Sequence, residues 1–242
     1  MTEPITHKDA PERIRPVTLF FGACRLDRFV LSPEDSHHAV RVLRRKIGDR
    51  VWCIDGSGTA CEVVLDTVDP RAAAGEIVAR HRQFNEPAWR IELLCGTAQP
   101  ARMDWVVEKA TELGVHEIRP LQGTLLPGPG RVRRWSRIAR GAAKQCCRGC
   151  VPSICPPAGL DLHLAELAPG GLRLYAEFGG RPLPDRSSLS RVVLAVGHDS
   201  GFTDAEVHSL EAAGFAAVDL GVRRLRTETA VVTLLAKLSG GV

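Results

Sequence analysis

Beyond residue 88 the chain alternates short apolar strands with amphipathic helices, and that rhythm leaves few folds open. Residues 90–95 read as a buried strand. Met103, Val106, Val107, Ala110 and Leu113 recur at helical intervals, and Gly114 stops them. Residues 118–121 read as a strand, 134–146 as a basic helix, and 172–177 and 192–196 as strands. A helix over 204–213, a strand over 216–220 and a helix over 229–238 complete the series. Strands joined through helices pair in parallel, and a parallel sheet has to be covered on both faces. The predicted class is α/β.

Residues 17–80 have a different pattern. Leu19-Phe20-Phe21 opens a strand, and residues 36–44 have helical spacing at Ala39, Val40 and Leu43. Val51-Trp52-Cys53-Ile54 is a strand, stopped by Asp55-Gly56-Ser57-Gly58, and residues 61–65 return as the second arm of a hairpin. Residues 75–79 form another strand. Several short strands with one helix predict a small β-barrel. Asn85-Glu86-Pro87-Ala88 reads as a linker. The expected organisation is a disordered tail over 1–16, a barrel over 17–84 and an α/β domain over 85–242. The tail is polar and mixed in charge, unlike a secretory signal. No apolar run reaches the roughly 18 residues that a membrane-spanning helix needs.

The charge is uneven. Lys and Arg number 32 against 28 Asp and Glu, a formal net charge of +4. Yet Arg131, Arg133, Arg134, Arg137, Arg140, Lys144 and Arg148 run together with no acid among them. Arg41, Arg44, Arg45, Lys46 and Arg50 form a second cluster, relieved by Asp49, and Arg223, Arg224 and Arg226 a third. Surface helices ordinarily mix signs, so an acid-free run predicts contact with a polyanion, with nucleic-acid phosphates held by Arg41, Arg44, Arg45, Arg134 and Arg148. Of the eight cysteines, Cys24, Cys53, Cys61 and Cys95 read as small buried hydrophobes. Cys147-Arg148-Gly149-Cys150 is formally a C-x-x-C, but no second pair stands nearby. No metal is expected, and reduced thiols in a cytoplasm are the default.

In open α/β sheets ligands bind beyond the carboxyl ends of the strands. Two glycine loops lie there: Gly197-His198-Asp199-Ser200-Gly201 after one strand, and Leu220-Gly221-Val222-Arg223-Arg224-Leu225-Arg226-Thr227-Glu228-Thr229 after another. Each combines a glycine turn, which lets backbone approach a ligand, with the start of a helix. Thr227 or Thr229 can cap the last helix, and Glu228 sits in its first turn.

The chain resembles the RsmE family of small-subunit ribosomal RNA uracil-N3 methyltransferases, within the SPOUT superfamily. The matching residues are His37-His38 to Arg44, Ile47-Gly48-Asp49-Arg50, the run Met103-Asp104-Trp105 to Val115, Gln145 with Arg148 and Val151-Pro152, Gly197 with Gly201-Phe202, and Leu220-Gly221 with Leu225-Arg226-Thr227-Glu228-Thr229-Ala230. The resemblance implies a PUA-like β-barrel for RNA contact and a SPOUT α/β domain closed by a deep trefoil knot. It implies a homodimer acting on ribosomal RNA, with S-adenosyl-L-methionine held at Gly197, Asp199, Gly201, Leu220, Gly221, Leu225 and Thr229. Arg226 is the candidate catalytic cation, or else a phosphate clamp, and Glu228, the second catalytic candidate, either orients it or favours the helix start. The alternative is a SPOUT-fold RNA-binding protein whose methyl transfer is lost or redirected. The family usually reads Gly-Pro-Glu-Gly-Gly where this chain has Gly197-His198-Asp199-Ser200-Gly201. Ser200 is therefore expected to cost roughly a kilocalorie per mole or more if its position requires a positive φ or touches the cofactor. His198 is either a new base or a polar substitute.

Overall fold

The computed structural model describes residues 18–96, 99–123, 130–184 and 190–239. The segment 1–16, expected to be a disordered tail, lies outside the described residues. The chain divides into two compact units, Met1–Asn85 and Glu86–Val242.

In the first unit, strands β1 (Leu19–Arg25), β2 (Arg28–Leu31), β3 (Arg50–Ile54), β4 (Thr59–Thr67) and β5 (Ala74–Arg82) close into a barrel in the order β1-β2-β5-β4-β3. Alternate residues point inward, so Cys61, Val63 and Leu65 of β4 share one core with Phe20, Phe29, Val51 and Cys53. The β3–β4 turn is fixed by Asp55, whose Oδ1 accepts from Ser57 N at 2.8 Å and from the Ser57 hydroxyl at 2.7 Å. The helix expected over 36–44 starts and ends earlier: α1 (Pro33–His37) continues as a π-helical turn over His38–Val42. Pro33 starts it, and the buried carboxylate of Asp35 accepts from Phe21 N at 2.7 Å, tying α1 to β1. Strand β2 carries four residues and gave no separate signal in the sequence.

The second unit comprises β6 (Arg90–Gly96), α2 (Pro100–Glu112), β7 (Glu117–Leu121), α3 (Gly130–Gln145), β8 (Ser153–Ile154), α4 (Leu160–Ala165), β9 (Leu172–Arg181), β10 (Arg191–Val196), α5 (Asp204–Ala212), β11 (Ala216–Val218) and α6 (Thr227–Ser239). The strands form one sheet in the order β11-β9-β10-β6-β7-β8, and each neighbouring pair is parallel. Both faces are buried. Ile91, Leu93 and Cys95 of β6, with Val192, Leu194 and Val196 of β10, enter one core beneath α2, α3 and α6. Leu94, Val193 and Ala195 enter the other, with Leu160 of α4 and Leu210 of α5. Burial on both sides explains why these strands read as continuous apolar runs. Helix α6 commits Val231, Leu234, Leu235 and Leu238 to the first core, each contributing about 1.5–3 kcal/mol.

Arg148, expected to touch RNA, is 1% exposed. Helix α3 ends at Gln145, and Cys147 takes φ +58°, which turns the chain inward. Arg148 Nη2 then lies 2.9 Å from Glu86 Oε2, while Nη1 donates to the carbonyls of Thr111 at 3.0 Å and Val115 at 2.6 Å. A guanidinium spent on a buried carboxylate and backbone oxygens has nothing left for a phosphate. The acid-free run hid this, because the partner stands 62 positions away in sequence.

His116 adjoins this pair. Ile91 N donates to its Nδ1 at 3.2 Å, so the neutral ring carries its proton on Nε2. Protonating Nδ1 would set two donors against each other. Burial and the Arg148 charge push the pKa down to about 4, with Arg90 adding to the fall. Glu86 Oε2 lies 3.5 Å from Nε2 but is already spent on Arg148, so burial and the cation prevail. The unfolded ring, near pH 6.5, binds its proton first, so the native state loses stability as pH falls from about 6.5 toward 4. Lowering the pH from 7 to 5 is expected to cost about 2 kcal/mol through His116. Urea denaturation of wild type and His116→Gln at both pH values checks this. Equal pH sensitivity in the two proteins contradicts it.

Candidate functional site

Strand β9 outruns its neighbours. It pairs with β10 through Tyr175, and its register on β11 slips between Ala217 and Val218, so that Val218 faces Arg181. Ala176, Glu177 and Phe178, between those two pairings, thereby bulge from the ladder. With the loop after β10 and the segment from Asp219 to Leu225 after β11, they wall off a cavity of about 470 Å³. Its volume falls within the range of small-molecule sites.

Two glycines open backbone toward it. Gly201 holds φ +85° and Gly221 φ +128°, and a Cβ on either would stand in open space. Gly201 N closes its turn on the His198 carbonyl at 2.8 Å, and Gly221 N bonds Asp219 Oδ1 at 2.8 Å. The positive φ of the first loop falls on Gly201, while Ser200 keeps an ordinary backbone. The cost expected from a positive φ therefore does not arise, and Ser200 lines the cavity. His198 packs its ring on the end of β6, where a Cβ on Gly96 would come within 2.7 Å of it.

A polar cluster fastens the two loops. The Thr227 hydroxyl lies 3.1 Å from the Gly197 carbonyl and 3.3 Å from Asp199 Oδ1, so it donates across the loops and does not cap α6. Asp199 Oδ2 accepts from Arg102 Nη1 at 2.7 Å. The Asp199 carbonyl accepts from Arg224 Nη2 at 3.3 Å. Arg102 Nε also lies 3.6 Å from Glu228 Oε1, and Glu228 Oε2 is buried without a hydrogen-bond partner among the described residues.

Of the residues expected to hold a cofactor, Gly197, Asp199, Gly201, Leu220, Gly221 and Leu225 line the cavity, and Thr229 does not. Thr229 is exposed whereas Thr227 is buried, because residues two apart on a helix point to different sides. The same geometry separates Arg226 from Glu228. Arg226 is exposed and makes no side-chain ion pair among the described residues, while the Glu228 carboxylate turns toward Arg102. Glu228 thus does not orient Arg226. Sequence reasoning missed Arg102, in the first turn of α2, and the cavity carboxylates Glu177 and Asp219. Arg102 adjoins Met103 of the quoted run, but nothing in its spacing marks a partner 97 residues on.

The cations expected to meet RNA differ in how free they are. Arg41 and Arg44 of the first unit are exposed, and Arg45 lies 3.9 Å from Asp49. On α3, Arg134 is paired with Asp104 at 2.7 Å, while Arg133 and Arg137 project to solvent without an ion pair among the described residues. Among the described residues no group of three or more His, Cys, Asp or Glu is placed to hold a metal, and no helix is long and apolar enough to cross a membrane.

Residues 85–239 match the family described as RNA methyltransferase domain, and residues 31–78 match the RNA methyltransferase PUA domain. The ribosomal RNA small subunit methyltransferase E of Synechocystis sp. is 29% identical over 240 residues, covering 95% of this chain and 75% of that protein. A crystal structure of a ribosomal RNA small subunit methyltransferase E from Neisseria gonorrhoeae, bound to S-adenosyl methionine, superposes with a TM-score of 0.80 at 28% identity, covering 92% of this chain and 97% of the other. A Legionella pneumophila putative methyltransferase in complex with S-adenosyl methionine gives 0.75 at 26% identity, covering 94% and 98%.

Proposed function

The chain belongs to the RNA methyltransferase domain family, and from that premise we propose that it transfers a methyl group from S-adenosyl-L-methionine to N3 of a uridine in small-subunit ribosomal RNA. One observation carries this reading. The cavity at the carboxyl edge of the sheet is lined by both glycine loops and lies within the segment that matches the family. The residues suit the cofactor. Val196, Leu220, Leu225 and Ala230 offer an apolar wall, Gly201 and Gly221 offer bare backbone, and Glu177 and Asp219 offer carboxylates to polar groups. When bound, S-adenosyl-L-methionine supplies a sulfonium methyl.

The chain's own residues then have two tasks. One is to orient the uracil against that methyl, because positioning supplies much of such a rate. The other is to stabilise the negative charge that spreads over the imide as N3 gives its proton to water, before that charge is spent in bonding the methyl carbon. Arg226, exposed and without an ion pair among the described residues, stands between the cavity residues Leu225 and Thr227 and has its charge to spend. The protein acts as a homodimer in the cytoplasm, and its last segment is threaded as a trefoil knot.

Incubation with methyl-labelled cofactor and small-subunit ribosomal RNA, followed by nuclease digestion and mass spectrometry, tests the reaction. Methylated N3 of uridine is the expected product. Methylation at another atom, or none by a chain that binds the cofactor, defeats the reading. RNA phosphates are expected to meet Arg41 and Arg44 in the first unit and, in the second, the exposed side of α3. Each of Arg133→Gln and Arg137→Gln should lower the salt slope of RNA binding by about one unit. An unchanged slope removes α3 from the interface.

A further inference from the structure

Helix α2 starts with a cation in an unfavourable place. Its first turn holds no acid, and Arg102 stands there against the positive end of the helix dipole. Such a residue needs compensation, and the partners come from elsewhere. Asp199, in the loop after β10, is 2.7 Å from Arg102 Nη1, and Glu228, in the first turn of α6, is 3.6 Å from Nε. Thr227 adds a hydroxyl between the Gly197 carbonyl and Asp199. Three segments distant in sequence therefore meet at one guanidinium.

We propose that Arg102 is the positioning residue of the site: it clamps the loop Gly197–Gly201 to the start of α6 and so sets the width of the cofactor cavity. The inference rests on the function proposed above. An isolated surface pair would contribute little. Here the Arg102 side chain is only 22% exposed and Glu228 17%, against 42% for Asp199, and the two carboxylates face a shared cation. Without it they are left as like charges at the joint between the loops, and the cavity loses its preorganised shape. The planar fork reaches two acceptors at once, which an ammonium does not. Asp199 itself lines the cavity, so the clamp acts directly on its wall.

The test uses the full chain with Arg102→Gln, Asp199→Asn and their combination. Calorimetric titration with S-adenosyl-L-methionine is expected to give a Kd raised about 10-fold in each single variant. The double variant is expected to be no weaker than the weaker single, because both changes break one interaction. Arg102→Lys should recover part of the loss. A Kd within about twofold of wild type for Arg102→Gln, or single effects that multiply in the double variant, overturns the clamp. Amide exchange in the free chain provides a readout that needs no cofactor. Arg102→Gln should speed exchange over 197–201 and at the start of α6, and leave β6 and β10 unchanged. Unchanged loop exchange overturns the proposal. If the loops respond while wild type fails to bind the cofactor, the clamp stands and the proposed function falls.

Discussion

Arg226→Ala should lower the single-turnover rate of methyl transfer by about 100-fold, in line with the loss of one preorganised charge contact. Arg226 is exposed, carries no ion pair among the described residues, and is flanked by two residues of the cavity wall. Cofactor affinity should hardly change, because Arg226 itself does not line the cavity. Arg226→Lys should restore part of the rate, since it keeps the charge and loses the planar fork. A phosphate clamp at the same position has another signature: RNA affinity falls, while the rate at saturating RNA stays near wild type. That second outcome would remove Arg226 from the chemistry.

Gly221→Trp should reduce cofactor affinity by more than about 100-fold and leave the fold intact. Gly221 holds φ +128°, which side-chain-bearing residues rarely adopt, and nothing stands within 4 Å of a Cβ placed there. The indole would project into space that the cavity needs, not into a core. The backbone strain is local and of order 1–3 kcal/mol. Cooperative thermal unfolding, with its midpoint lowered by no more than about 10 °C, together with absent heats of S-adenosyl-L-methionine binding is the expected pair of results. An affinity equal to that of wild type would place the cofactor elsewhere.

Much of the fold was legible because local chemistry and global fold agree. The strands β6 and β10 are apolar throughout since both faces are buried, and α2 shows its buried side at helical spacing. Elements too short to carry a pattern were not legible: β2 with four residues, β8 with two and α4 with six. The basic run also misled at its end. Arg133 and Arg148 look alike in sequence, yet one faces solvent and the other is buried on Glu86. Only the turn at Cys147 and the distant carboxylate tell them apart.

The two glycine loops behave in the same way. The sequence by itself determined that they follow strands of a parallel sheet and that Gly201 and Gly221 free the backbone, because strand rhythm and glycine conformation are local properties. Which side chains face each other was decided by the tertiary structure. Two-residue spacing at the start of α6 sends Thr227 and Glu228 into the joint and leaves Arg226 and Thr229 exposed. The joint is completed by Arg102 from α2, which reaches Asp199 97 residues away. A pairing across that separation exists only once the sheet has brought the ends of β6 and β10 side by side, so no local pattern could encode it.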